Sequence, residues 1–175
     1  MVIVITGDKG VGKSTLCRKV IQKIQSRGLT CGGIITFKAP DSGINIEDIK
    51  TGKLETLASV RKIYSGPRSG IYYFNPEGLR FGQEAIEQGA SADILFVDEL
   101  GHLEVRGEGF ASALPLLNGR KQPTVVVIRE ELLPSLLPRF VVQPIVVHTT
   151  IANRDELPSS ILERLFPGTT FGREN

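Results

Sequence analysis

Short apolar runs alternate with amphipathic segments along most of the chain. Val2–Thr6 is β-branched and apolar throughout, which is typical of a strand buried on both faces of a parallel sheet. From Gly12 the apolar side chains follow a helical period until Gly28, and a second strand is predicted at residues 31–37. This order predicts a strand, a helix and a parallel strand joined by a right-handed crossover.

The rhythm of strand and helix breaks between residues 38 and 75. Residues 44–50 and 53–60 have the composition of two short strands joined by a Thr-Gly turn, and a further β-prone run ends at residues 71–74. Consecutive strands with a short turn pair in antiparallel fashion. We therefore expect an antiparallel β insertion at about residues 38–75.

The second half returns to strands that alternate with helices. Strands are predicted at residues 93–97, 124–128 and 144–148, and helices at 76–88, around 109–117, near 131–137 and around 158–166. The helix at 76–88 has the clearest start, because Asn75 can cap it and Pro76 suits its first turn. The pattern predicts an α/β fold, with a predominantly parallel sheet covered by helices on both faces. With 175 residues, the chain is expected to form one domain over residues 1–175.

Composition and charge narrow the classes of partner. The hydrophobic share of 41% and the charged share of 23% are ordinary for a globular protein. The net charge of +2 gives no support for a nucleic-acid partner. No apolar run reaches the length of a signal segment or a membrane span, so we expect no membrane partner and a cytoplasmic location. Cys17 and Cys31 lack zinc-ligand spacing and are predicted to be reduced thiols, Cys17 on the core face of its helix.

A phosphate-binding loop is predicted between the first strand and the first helix. Residues 7–14 satisfy GxxxxGK[ST] in the strand-loop-helix context that this motif requires. Its glycines let backbone N–H groups converge on phosphate oxygens, and the helix start adds a partial positive charge. Lys13 is expected to reach the β and γ phosphates of a nucleoside triphosphate, and the Ser14 hydroxyl to bind Mg²⁺. The predicted nucleotide-binding residues of the loop are Gly7, Asp8, Lys9, Gly10, Val11, Gly12, Lys13, Ser14 and Thr15.

Two adjacent carboxylates, Asp98 and Glu99, follow the apolar run at residues 93–97. In an open parallel sheet, ligands gather at the carboxyl ends of the strands, so Asp98 is predicted to hold the same Mg²⁺. Glu99 is the candidate general base that orients the attacking water. The alternative is that both carboxylates only end the strand and cap the next turn. Glu104 either assists them or is a solvated charge, and His102 is expected to be a turn residue.

Arg129 directly follows the apolar run at residues 124–128. If that strand lies beside the first strand, the Arg129 guanidinium would reach the γ phosphate as a catalytic arginine supplied in cis. The alternative is a surface ion pair with Glu130 or Glu131. Thr149 and Thr150 end the last predicted strand, where they either lie near a base or ribose or cap the following turn.

Several separate segments carry a family pattern. Beyond the phosphate loop they are GGIIT at 32–36, TG at 51–52, RSGIY at 68–72, DELGHLE at 98–104, NRD at 153–155 and LP at 157–158. Through them the chain resembles the THEP1 nucleoside-triphosphatase family over nearly its full length. The resemblance implies a RecA-like sheet, Mg²⁺ dependence and hydrolysis of several nucleoside triphosphates. It also implies nucleotide-site roles for Arg68 and Asn153. From residue type alone, Arg68 is a loop charge, and Asn153 and Asp155 are helix-capping groups.

The favoured function is Mg-dependent hydrolysis of nucleoside triphosphates such as ATP and GTP to the diphosphate and phosphate. A loose base preference is expected, because contacts to the triphosphate and the metal are blind to the base. Two alternatives stay open. A nucleotide or nucleoside kinase would need an acceptor pocket and usually an arginine-rich lid, and no arginine cluster is evident in the sequence. A nucleotide-dependent switch or assembly subunit would hydrolyse slowly.

Overall fold

The computed structural model describes residues 1–168, and a sheet of nine strands lies at its centre. The strands are β1 (Val2–Thr6), β2 (Cys31–Lys38), β3 (Ile44–Asp48), β4 (Leu54–Ser59), β5 (Arg68–Ser69), β6 (Tyr72–Phe74), β7 (Ile94–Leu100), β8 (Thr124–Ile128) and β9 (Ile145–His148). Their order across the sheet is β5-β6-β4-β3-β2-β7-β8-β1-β9. The sheet is therefore wide, and its first strand lies near one edge.

Parallel and antiparallel strands occupy separate halves of this mixed sheet. Strands β2, β7, β8, β1 and β9 are all parallel, and β1 pairs with both β8 and β9. Strands β3, β4, β6 and β5 extend the sheet from β2 in antiparallel pairs. The predicted antiparallel insertion is confirmed, and its strands lie within the predicted range of 38–75. Strand β8, which Arg129 directly follows, does lie beside β1, as the hypothesis about Arg129 requires.

Helices cover both faces of the sheet, as predicted. They are α1 (Lys13–Gln25), α2 (Pro76–Gln88), α3 (His102–Val105), α4 (Leu114–Gly119), α5 (Leu133–Leu136) and α6 (Leu157–Leu165). One apolar core contains the buried side chains of α1 and α6, and the other contains those of α2, α4 and α5. Among residues 1–168, no helix has the length and apolar character needed to cross a membrane. Both cysteines are buried and free, which confirms the core position of Cys17.

Some element bounds differ from the predictions for local reasons. Strand β7 does not stop at residue 97 but continues through both carboxylates to Leu100. His102 is not a turn residue; it begins the short helix α3. The helix predicted around 109–117 starts later, because Gly109 has a φ of +59°, which no helix accepts. The helix predicted near 131–137 is limited to α5, which is flanked by 3₁₀ turns.

Candidate active site

The loop between β1 and α1 has the shape expected of a phosphate-binding loop. Gly7 has a φ of +135°, and a Cβ atom at this position would lie 2.2 Å from the carbonyl oxygen of Thr149. Gly12 has a φ of +101° and immediately precedes the helix. Only glycine fits at position 7, because the loop passes so close to the backbone that follows β9. Its N–H groups and the start of α1 are thus available for an anion.

The Lys13 side chain folds back onto the backbone of the phosphate loop. Its ammonium group donates to the carbonyl oxygen of Gly7 at 2.7 Å and to that of Asp8 at 2.8 Å. Burial lowers the pKa of Lys13, and the negative charge of Glu99 partly opposes this effect. The ammonium group therefore lies against the loop carbonyls, close enough to the carboxylates at the end of β7 for their negative charges to affect its pKa.

Asp98 joins three elements at the edge of the sheet. Its side chain is 2% exposed and accepts hydrogen bonds from the Thr36 backbone N–H at 3.1 Å and the Thr36 hydroxyl at 3.4 Å. The hydroxyl of Ser14, the last residue of the phosphate-loop motif, lies near enough to lower the pKa of this carboxyl. Burial has the larger effect and raises the pKa of Asp98 to about 6. The two predicted metal ligands, Ser14 and Asp98, line the same cavity.

The sequence assigned no role to Thr36 beyond its place in the GGIIT segment. Its position does carry a signal, because it is a polar residue near the carboxyl end of a buried strand. The pairing of Ile34 with Val97 places it next to Asp98. This neighbour relation depends on which strands adjoin, so it becomes visible only when the sheet order is known.

A β-bulge sets the direction of Glu99. Asp98 pairs with Val127 and Leu100 pairs with Ile128, so Glu99 is the extra residue on β7. A bulge of this kind re-aims a side chain that strict alternation would send to the other face of the sheet. Asp98 and Glu99 can consequently line the same cavity although they are adjacent in sequence.

Arg129 pairs with Glu99 across the ends of β8 and β7. Its Nε atom donates to Oε1 of Glu99, and the two side chains are 34% and 31% exposed. Burial lowers the pKa of Arg129, but the charge and hydrogen bond of Glu99, together with the charges of Glu131 and Tyr72, raise it above its ordinary value. The alternative of an ion pair with Glu130 or Glu131 is wrong. Glu130 instead accepts from His148 at 2.9 Å, and the bulge brings Glu99 within reach of the guanidinium.

A cavity of about 420 Å³, here named the phosphate-loop cavity, collects most of the predicted site residues. Its lining includes Gly7, Lys9, Gly10, Gly12, Lys13, Ser14, Thr15, Asp98, Glu99 and Arg129. Asp8 and Val11 do not line it: Asp8 contributes its carbonyl oxygen to Lys13, and Val11 is buried. Arg68 lies outside the phosphate-loop cavity and lines an adjoining one.

Glu104 is neither a solvated charge nor part of the phosphate-loop cavity. It is 4% exposed, and its two carboxylate oxygens accept from the backbone N–H groups of Gly101 at 2.6 Å and Phe110 at 2.8 Å. Burial raises its pKa, and these two hydrogen bonds oppose that effect. Glu104 therefore braces the loop that follows β7.

The polar residues after β9 stabilise a turn rather than a helix start. The Asn153 side chain accepts from the Thr150 N–H at 2.8 Å and donates to the His148 carbonyl at 3.0 Å. Thr150 accepts from the Asn153 N–H at 3.3 Å, which confirms that it caps the following turn. Asp155 pairs with Lys19 of α1 at 2.8 Å. The prediction that Asn153 and Asp155 cap a helix is wrong, because α6 begins only after them.

The side chains at the edge of the sheet fit a magnesium ion bound jointly with a nucleotide. Within residues 1–168, no group of three or more His, Cys, Asp and Glu side chains could hold a metal ion by itself. Ser14 and Asp98 supply two hard oxygen donors that line the same cavity. Mg²⁺ typically takes one or two protein ligands and completes its shell with phosphate oxygens and water.

Comparison with known proteins agrees with this architecture. The sequence model of a protein family described as NTPase matches residues 2–162. A relative named Nucleoside-triphosphatase THEP1, from Methanosarcina barkeri, is 33% identical over 168 residues, which cover 93% of this chain and 95% of the relative. The crystal structure of THEP1 from the hyperthermophile Aquifex aeolicus superposes with a TM-score of 0.76 at 22% identity, covering 94% of this chain and 99% of that one. The solution structure of a human cancer-related nucleoside triphosphatase has the same TM-score, 0.76, at 19% identity, with coverages of 96% and 98%.

Proposed function

Because the chain belongs to the THEP1 family of nucleoside-triphosphatases, we propose that it hydrolyses Mg-bound nucleoside triphosphates to the diphosphate and inorganic phosphate in the phosphate-loop cavity. The observation that carries this proposal is that Lys13 and Ser14 of the phosphate loop line one cavity with Asp98 and Glu99 of β7. The cavity joins the phosphate loop to the acidic strand, so that a group bound by one lies against the other. The whole chain, residues 1–175, acts as one domain in this proposal.

Binding of the triphosphate rests on the loop and on Lys13. The N–H groups of residues 7–13 surround the β phosphate, and the Lys13 ammonium group exchanges its two carbonyl partners for phosphate oxygens. Ser14 and Asp98 would hold the Mg²⁺. When bound, this ion neutralises charge on the β and γ phosphates. Most of the binding energy then comes from groups that every nucleoside triphosphate shares, which supports hydrolysis of ATP, GTP and others with a loose base preference.

Hydrolysis requires a water molecule in line with the γ phosphorus. The Glu99 carboxylate orients this water and accepts its proton while the water oxygen attacks the γ phosphorus. The bond between the γ phosphorus and the bridging oxygen breaks, and the diphosphate leaves. Arg129 holds Glu99 in place through its Nε atom, and its guanidinium charge stabilises the transferring phosphoryl group.

Release of inorganic phosphate from the purified chain tests this function. ATP, GTP, CTP and UTP are incubated separately with the protein, each with Mg²⁺ and in a matched sample with EDTA. We expect phosphate from every nucleotide in the presence of Mg²⁺ and almost none with EDTA. Tight binding of nucleotide without release of phosphate would contradict hydrolysis and favour a switch protein.

A further inference from the structure

A second cavity, of about 520 Å³, adjoins the phosphate-loop cavity on the side away from β9. Both cavities are lined by Lys9, Thr36, Ile44, Tyr72, Glu99 and Arg129. The space is thus continuous, and Glu99 with Arg129 lies where the two cavities meet. A ligand in the second cavity would face the γ phosphate of a nucleotide in the first.

Two arginines line the second cavity but not the first, namely Arg68 and Arg106. Arg106 donates to Glu108 at 2.8 Å and to the backbone carbonyl of Arg68 at 3.0 Å. The side chains of the Arg106–Glu108 pair are each 45% exposed, so the pair is weak and an anionic ligand can displace it. The guanidinium of Arg68 lies over the ring of Tyr73 at 5.3 Å, and no carboxylate pairs with it among residues 1–168.

The carboxylates of the second cavity are already engaged. Glu99 is paired with Arg129, and both oxygens of Glu104 accept backbone N–H groups. Lys9 and Arg68, to which no carboxylate is paired within residues 1–168, therefore leave an excess of positive charge, and Arg106 adds to it when its exposed pair with Glu108 opens. An anion is the ligand that this distribution of charge attracts.

Much of the remaining wall of the second cavity is apolar. Leu57, Ile71, Tyr72, Phe74 and Phe110 all line it, and Ile71 is 63% exposed. A volume of about 520 Å³ is in the range of sites for small organic molecules. The cavity is too large and too apolar for a free inorganic ion alone, and it fits an organic body that carries the negative charge.

We propose that the second cavity binds a small organic phosphate with a free hydroxyl group, and that the γ-phosphoryl group is transferred to this hydroxyl. The inference rests on the proposed function, because the donor is the same Mg-nucleotide. The phosphate of the acceptor lies on Arg68 and Arg106, and its hydroxyl reaches Glu99. The hydroxyl oxygen attacks the γ phosphorus while its proton passes to Glu99. The bond to the bridging oxygen breaks, so the products are the nucleoside diphosphate and a second phosphate ester on the acceptor.

The three arginines around this space come from different parts of the chain. Arg68 precedes β6, Arg106 follows α3 and Arg129 follows β8. The absence of an arginine cluster in the sequence therefore did not exclude one in the folded protein. The acceptor pocket that a kinase requires is a feature of the fold rather than of a local motif.

Phosphorus NMR of the reaction mixture tests the proposal, because it separates inorganic phosphate from a new phosphate ester. The full chain is incubated with Mg-ATP and one acceptor at a time: AMP, GMP, CMP, UMP, ribose 5-phosphate or glycerol 3-phosphate. The test variants are Arg106→Ala, which removes a cation from the cavity, and Ile71→Glu, which adds a carboxylate at an exposed position on its wall. The matched control is Arg80→Ala, because Arg80 also forms an exposed ion pair but lies on α2 outside the cavity.

We expect a new ester with at least one acceptor. Its rate of formation should fall by about tenfold or more in both test variants, because Arg106→Ala removes a charged partner of the acceptor phosphate and Ile71→Glu adds a negative charge that repels it. The rate should not change in the control. Phosphate release without acceptor should be the same in all four proteins. Inorganic phosphate as the only product with all six acceptors would overturn the inference and leave the hydrolase proposal intact. If the ester forms equally fast in every variant, the acceptor does not bind in the second cavity, and the inference is overturned. No product of either kind would overturn both proposals.

Discussion

The Nε atom of Arg129 donates a hydrogen bond to Oε1 of Glu99, across the ends of two neighbouring strands of the sheet. This pair lies where the phosphate-loop cavity meets the second cavity. A carboxylate suited to accept a proton and a cation suited to stabilise phosphoryl charge are therefore held as one unit. Their mutual orientation depends on the bulge at Glu99.

Replacement of Arg129 by alanine tests its proposed catalytic role against its role as an ion-pair partner. Arg129→Ala should lower kcat for phosphate release on the order of a hundredfold or more, as expected for an arginine supplied in cis. Its thermal unfolding should change little, because partly exposed ion pairs contribute little to stability. Steady-state kinetics and calorimetry on the same preparation measure both quantities. An unchanged kcat would show that Arg129 does not act on the transferring group.

Loss of the loop ammonium group should abolish tight binding of the triphosphate. Lys13→Ala removes the charge that the structure holds on two loop carbonyls. Titration with a fluorescent nucleotide should show at least about a hundredfold weaker binding, in keeping with the loss of a partly buried charged partner. Lys121→Ala, on the exposed turn before β8, is the control and should bind as the unmodified protein does. Full turnover by the Lys13 variant would refute the loop assignment.

Two glycines of the loop should differ in their tolerance of a methyl group. Gly7 and Gly10 both have positive φ, +135° and +86°, so alanine is strained at either position. Only at Gly7 would the new Cβ meet backbone, 2.2 Å from Thr149, whereas nothing lies within 4 Å at Gly10. Gly10→Ala should lower the free energy of unfolding by about 1 kcal/mol, and Gly7→Ala by about 3 kcal/mol or more. Urea unfolding of the two variants checks the order, and equal losses would contradict the close approach of the loop to the backbone that follows β9.

The thiol of Cys31 should be unreactive in the folded protein. Burial first, and then the negative charge of Asp93, raise the pKa of Cys31 from 9.0 to about 12. At pH 8 only about one thiol in ten thousand is then ionised, so a disulfide reagent should react rapidly only after unfolding in urea. Because the folded pKa is the higher one, this group favours the fold below pH 9.0, and that contribution is lost as the pH rises toward 12. Rapid native-state modification at pH 8 would show that Cys31 is not enclosed.

The sequence predicted those parts of the fold that depend on local pattern. The bounds of β1 and β8 follow from unbroken apolar runs. The start of α2 follows from Asn75, whose side chain does accept a hydrogen bond from the Glu77 N–H as a helix cap. The start of α4 was missed, because a glycine with positive φ does not differ in sequence from any other glycine. The end of β7 was missed because carboxylates are uncommon in strands, so the apolar pattern predicts that the strand ends before the first of the two.

The candidate site also has a part that the sequence predicted and a part that it did not. A contiguous motif was enough to predict that Lys13 and Ser14 lie together at the start of α1. The partners contributed by other strands, such as Thr36 for Asp98 and Glu99 for Arg129, depend on sheet order and on a one-residue bulge. Neither property is encoded in local periodicity. Burial of Glu104 was equally hidden, because a charged residue is expected to be solvated unless its hydrogen-bond donors are known.

Conversion of Glu99 to glutamine is the most direct test of the proposed chemistry. Glu99→Gln keeps the size of the side chain and an oxygen that can accept from Arg129, but it cannot take a proton from water. Glu130→Gln is the matched control, because Glu130 pairs with His148 and does not line the phosphate-loop cavity. We predict that the Glu99 variant binds Mg-nucleotide normally while phosphate release falls by about a hundredfold or more, and that the control retains full activity. Phosphate release at the unmodified rate from Glu99→Gln would contradict the account.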